Sequence, residues 1–150
     1  MANETKHVKE SFERYIKTQM SGETDIDYAG KPFNTGDYSE WIRPRWLGYT
    51  PILESGTQNG VRREAHTFSV DVFVKVGLAG ESTHRAYEIV DLLKAAFDRI
   101  ALSVQDWADD EQQEALCYFG RADVTPVEES NHGQYVLQQL NATWEGALWA

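Results

Sequence analysis

The side chains able to do acid–base, metal or nucleophilic chemistry are few, and their spacing decides what they can do. His7, His66, His84 and His132 stand far apart, with no two at the short spacing by which one loop or helix face presents ligands to a metal ion. An isolated histidine titrates near neutrality without serving any site. Cys117 is the single cysteine, so an internal disulfide is excluded; between Leu116 and Tyr118 it reads as a small apolar core residue. Gly77 and Gly80 fall between two periodic segments, as in a phosphate-binding loop, but the further glycines and the lysine of such a loop are missing. Residues 106–114 hold five carboxylates, Asp106, Asp109, Asp110, Glu111 and Glu114. Their spacing is not that of a calcium loop, and a solvated acidic loop is the expectation. No nucleophile, base and orienting group fall together. The chain is therefore expected to be no enzyme and to hold no metal or cofactor.

The strongest signal outside the core pattern is Trp41-Ile42-Arg43-Pro44-Arg45-Trp46. It reads either as an edge strand with its arginines in solvent or as an interface anchor, because arginine beside tryptophan is the composition of binding hot spots. In a chain of net charge −10, a local basic patch can meet the acidic loop of a neighbouring copy, giving a head-to-tail contact and hence a ring. The same net charge argues against a protein that wraps DNA with a basic face. Five tryptophans and seven tyrosines suit either core packing or protein interfaces. No apolar run approaches the length of a membrane span and no signal peptide is apparent, so an intracellular, cytosolic origin is expected, as the lone cysteine also suggests.

The elements that must position these residues follow from periodicity. Residues 67–76 alternate strictly, with Phe68, Val70, Val72, Val74 and Val76 on one side and Thr67, Ser69, Asp71, Phe73 and Lys75 on the other, which predicts a strand with one buried face. From Thr83 the period changes: Ala86, Ile89, Val90, Leu93, Phe97 and Ile100 recur at helical spacing after Ser82, which offers an N-cap oxygen. A first helix to about Met20 is predicted from the stripe Val8, Phe12, Tyr15, Ile16 and Met20, with a short strand near 25–28 after it. Residues 40–53 read as a strand that Pro44 and Pro51 confine to a sheet edge or force to bulge. The turn at 55–60, with its Asn-Gly step, joins it to the 67–76 strand as an antiparallel hairpin, whose polar Arg62, Arg63 and Glu64 suggest that it projects from the body. Residues 101–107 and 115–127 read as strands, 128–133 as a turn, and 134–144 as the last strand of a second hairpin. The apolar end with Trp149 is expected to be tied down on the core or on a neighbour. These readings give a single α+β domain over 1–150: a mostly antiparallel mixed sheet with two helices packed on it and a projecting β-hairpin.

That order of segments resembles the tail terminator (tail completion) proteins of long-tailed bacteriophages, the lambda type included. The likeness is carried by Trp41-Ile42-Arg43-Pro44, by Val70-Asp71-Val72-Phe73-Val74, by the helix over 87–97 and by Gly133-Gln134-Tyr135 in the closing hairpin. It spans roughly residues 4–145, and its specificity lies in the order of the motifs; 22–39 and 106–114 depart from the pattern. The resemblance implies a virion structural protein: a self-associating, hexameric ring that caps the tail tube, ends its polymerisation and meets the neck or head connector. Such a ring sits at the head-proximal end of the tail after assembly in the host cytoplasm, and DNA passes through it without specific binding. On this reading Trp41, Arg43, Arg45, Trp46, Arg62, Arg63 and Trp149 are expected at subunit or partner interfaces. Asp109, Asp110, Glu111, Glu128 and Glu129 are expected to line the channel, where carboxylates repel phosphate. Two alternatives stand beside it: a head-completion or neck adaptor of a phage, and an unrelated small intracellular protein-binding domain.

Overall fold

The computed structural model describes residues 4–28, 30–54, 62–76, 83–107, 113–132 and 135–149. The helical stripe becomes α1 (Glu4–Met20), which buries Val8, Phe12, Ile16 and Met20. A two-residue strand β1 (Asp25–Ile26) and a 3₁₀ turn (Thr35–Asp37) lead into β2 (Glu40–Glu54). β1 runs parallel to β2 only at Trp41 and Ile42, so the rest of β2 is an edge, where proline is tolerated. β2 breaks register twice, between Trp46 and Tyr49 and between Pro51 and Leu53. Gly48, at φ +111°, supplies the first of these bulges with a backbone shape that other residues rarely adopt.

β3 (Arg62–Val76) pairs antiparallel with β2, and α2 (Thr83–Phe97) follows. Then come β4 (Ala101–Gln105), β5 (Gln113–Phe119), β6 (Asp123–His132) and β7 (Tyr135–Trp149). The mixed seven-stranded sheet has the order β1-β2-β3-β7-β5-β4, with β6 also on β7. The fold is α+β. Both helices cover one face: α2 lies on β3 and β7, and α1 reaches from β4 to β2. Between helices and sheet, Ile42, Phe68, Val70, Val72, Val74, Cys117, Phe119, Leu140, Ala142, Trp144 and Leu148 join the helical stripes in one core. At the N-terminal end of α2, Arg85 forks onto Glu40 at 2.8 and 2.9 Å and donates to the Glu23 carbonyl, fixing the helix against the start of β2.

Four expectations change. The side of β3 opposite the helices is buried too: Ser69, Asp71 and Phe73 are all under 7% exposed. The alternating pattern is right, but β3 lies at the centre of the sheet, where cross-strand side chains from β2 and β7 close over it. Residues 115–127 are not one strand, for β5 and β6 are offset by one position along β7 around 120–122. Residues 128–133 are not a turn: β6 continues to His132, and Glu128 and Glu129 fall at a bulge opposite β7. Glu64, expected in solvent, is buried beside Leu148, because β7 accompanies β3 as far as the Arg63–Trp149 pair. Over its described length the β2–β3 hairpin is thus backed by β7; its tip, 55–61, lies outside the described residues, as do Ser82 and the glycine loop. The apolar C-terminal end is tied down by pairing on both sides.

Gly146 sits where a Cβ would lie 2.7 Å from Cys117 Sγ and 2.9 Å from Phe68 Cε2. Gly146→Ala is expected to lower the unfolding free energy by about 1–3 kcal/mol, the usual range for overpacking, as read from urea melts. An unchanged midpoint would contradict this packing. The Cys117 thiol is pushed up to about 12 by burial, so at pH 8 it is protonated as well as inaccessible. Iodoacetamide should leave it unmodified in the native protein and alkylate it in urea; native alkylation on the same timescale would be the contrary result.

Candidate functional site

Alternation along β2 places Trp41, Arg43 and Arg45 on the sheet face away from the helices, opposite Phe73, Asp71 and Ser69 of β3. Trp41 is not available as an exposed anchor. It is buried in a second small core with Phe73 and Leu137, its ring 5.2 Å from that of Phe73, and Phe33 and Tyr38 pack against it. Burial wins here because the 30–39 segment folds its aromatics over the indole. Arg43 donates to Asp27 Oδ2 at 3.1 Å and lies 5.0 Å from the Phe73 ring centroid. Arg45 pairs with Asp71 Oδ2 at 2.8 Å. The other oxygen of Asp71 accepts from Asn141 Nδ2 at 2.8 Å; the same amide reaches Ser69 Oγ, and Thr143 Oγ1 donates to Asn141 Oδ1. Both arginines therefore have partners within the chain, and Arg45 neutralises a buried carboxylate. The basic patch is half-exposed but not uncommitted.

Trp46 faces the other way and packs against the main core. Its Nε1–H donates to His66 Nδ1 at 3.0 Å, so the neutral imidazole carries its proton on Nε2, which donates to Glu64 Oε1 at 3.1 Å. A histidine held by a carboxylate is half of an acid–base device. Here both ring nitrogens are occupied and buried, so no lone pair is left to take a proton from a substrate.

At the far end of the outer face, Arg63 lies over the Trp149 ring, 3.4 Å from its centroid. Leu116 opposes Trp149 across β5 and β7, and Tyr118 opposes Ala147, so these side chains share that face. Trp149 is 41% and Tyr118 46% exposed, so this is a pair of neighbouring aromatics that the fold leaves uncovered; Tyr49 and Tyr87, each 45% exposed, lie on other elements. The Arg62 side chain, Asp109, Asp110 and Glu111, and the side chains of Glu128 and Glu129 lie outside the described residues.

One cluster was not legible in the spacing of histidines. His7 is buried on α1, with Nδ1 2.7 Å from Glu114 Oε2 and Nε2 3.5 Å from Asp106 Oδ1. Ser11, one turn on, is buried too; its Oγ accepts from the Gln105 backbone N–H at 3.1 Å and from Trp107 Nε1 at 3.0 Å. His7, Ser11 and Tyr15 form an i, i+4 row beside the apolar row Val8, Phe12 and Ile16. Tyr15 already belonged to the buried stripe, and that was the available signal that His7 and Ser11 are inside.

No family model matches the chain, and no curated protein matches it. A solved structure whose name states no function aligns over 97% of this chain and 96% of its own, at a TM-score of 0.58 and 11% identity. The likeness is one of fold.

Because Arg45 serves Asp71, reversing its charge should damage the subunit itself. Arg45→Glu is expected to cost about 1–3 kcal/mol of stability by setting two carboxylates together, against about 1 kcal/mol or less for Arg45→Ala, whose site water can fill. Equal chemical-denaturation midpoints for the two variants would show that Asp71 does not depend on this arginine.

Proposed function

We propose that this chain is a ring-forming structural subunit that ends a phage tail tube and offers the finished end to the neck or head connector. The observation that carries the reading is the exposed aromatic surface of Tyr118 and Trp149 beside Arg63. Exposed aromatic area next to an arginine is the composition of a binding hot spot. The order of elements supports it as well: an edge strand bearing Trp41-Ile42-Arg43-Pro44, the β2–β3 hairpin, the central β3, α2 and the closing β6–β7 hairpin stand in the sequence order on which the resemblance rests.

The contact between copies is a side-chain contact rather than an extended sheet. β2 beyond Ile42 and all of β6 have no strand on their outer sides among the described residues. β2 and β6 carry proline, Pro44 and Pro51 on β2 and Pro126 on β6, and proline cannot donate to an incoming strand; β4, the strand that ends the sheet on the far side, is only five residues long. Different patches meeting head to tail close into a ring when the rotation permits. A net charge of −10 suits a wall past which DNA slides without sticking.

Light scattering and negative-stain imaging of the full chain, alone and with polymerised tube protein, test this. The expected result is a closed ring, free or on tube ends, with tube growth arrested. Tyr118→Ala/Trp149→Ala should weaken association by more than tenfold, the loss that truncating hot-spot residues brings, with little change in melting temperature. A monomer at every concentration, with and without tube, would overturn the reading. Binding to a portal or connector but not to tube would favour a neck adaptor instead.

A further inference from the structure

The two gaps around the His7 imidazole differ in a way that chemistry can use. The Nδ1–Glu114 separation of 2.7 Å is that of a short charge-assisted N–H···O⁻ bond, so the imidazole proton belongs there. With the proton on Nδ1, the Nε2 lone pair is directed toward Asp106 Oδ1, 3.5 Å away. The gap is the one that two ligands of a single metal ion leave between them. Metal–nitrogen and metal–oxygen bonds of about 2.1 Å meeting at a tetrahedral angle place their donor atoms roughly 3.4 Å apart.

We propose that His7 Nε2 and Asp106 Oδ1 form a binding site for a divalent transition-metal ion such as Zn²⁺, Mn²⁺ or Co²⁺, with water completing the coordination. Glu114 is the positioning carboxylate: it accepts Nδ1–H, fixes the tautomer and aims Nε2 at the ion. The donor atoms of the three residues lie within 4.8 Å of one another. Imidazole with carboxylate selects this class of ion over Mg²⁺ or Ca²⁺, which prefer all-oxygen sites. The site is pre-built from both sides. Ser11 accepts from the residues flanking Asp106, Gln105 and Trp107, so the ligand-bearing segment is pinned to the helix that carries His7. His7 is buried, while Asp106 and Glu114 are about one-quarter exposed, which leaves a way in for an ion and its waters.

The test uses the chelator-stripped full chain with Zn²⁺ or Co²⁺ alone. At a hundredfold excess over Kd, Zn²⁺ should raise the melting temperature by about 5–10 °C. Co²⁺ should show ligand-field absorption and quench fluorescence through the neighbouring Trp107, a readout that needs no variant to fold. His7→Gln and Asp106→Asn should abolish both effects, and Glu114→Gln should weaken binding about 10–100-fold without abolishing it. The proposal is overturned if neither ion shifts the melting point nor perturbs the spectrum of the wild-type chain. It is equally overturned if Zn²⁺ binds and His7→Gln binds it as tightly.

Discussion

Five aromatic rings hold this molecule in one piece. Phe12 of α1 lies 4.6 Å from Phe68 of β3, 5.5 Å from Phe97 of α2 and 6.2 Å from Phe119 of β5. Phe97 in turn lies 4.9 Å from Trp144 of β7. Each ring belongs to a different element, and all are at most 3% exposed. Burying one such side chain is worth about 1.5–3 kcal/mol, whereas a half-exposed ion pair such as Arg43–Asp27 is worth about 0–1 kcal/mol. The rings set where the helices sit; the ion pairs trim their orientation. The glycine at 146 follows from the same cluster, because the Phe68 ring occupies the space its side chain would need.

Three clusters of buried polar groups among the described residues are held by hydrogen bonds and ion pairs. On the outer face, Asp71 is shared between Arg45 and Asn141. Inside β3, His66 links Trp46 to Glu64. Beside α1, His7 sits between two carboxylates of the β4–β5 region, Glu114 at 2.7 Å and Asp106 at 3.5 Å. The first two are closed networks that specify register; an apolar pair in their place would let strands slip with less penalty. The third has a wider gap, 3.5 Å between His7 Nε2 and Asp106 Oδ1, and on that gap the proposed metal site rests.

Much of the fold was legible because local periodicity reports local structure. The change from period two to period 3.6 between β3 and α2 marked both elements, and Pro44 and Pro51 correctly placed β2 at an edge. What periodicity cannot say is whether a second face is covered. Ser69 and Asp71 look like solvent-facing residues until Arg45 and Asn141 arrive from other strands, the latter 70 residues from Asp71 along the chain. Glu128 and Glu129 have the composition of a turn, yet a bulge accommodates the same residues inside a strand. The His7–Glu114 contact spans 107 positions, so no spacing rule reaches it. Trp41 shows the converse limit: an aromatic beside arginines has an interface composition, and only the fold of 30–39 decides that it is internal.

β7 comes after every other described strand and yet stands inside the sheet, joined to β3 from Val136 to Trp149 and to β6 and β5 on its other side. On the ribosome, then, everything made earlier waits. Until residues 135–149 emerge, β3 shows one naked edge and the Phe97 ring lacks its Trp144 neighbour, so the nascent chain has no finished subdomain to settle into. Closure of the sheet depends on pairing between distant segments, which is slow and leaves apolar strands open to passing chains. The slot that the last strand is to fill is the apolar edge that any sheltering of the growing polypeptide must cover.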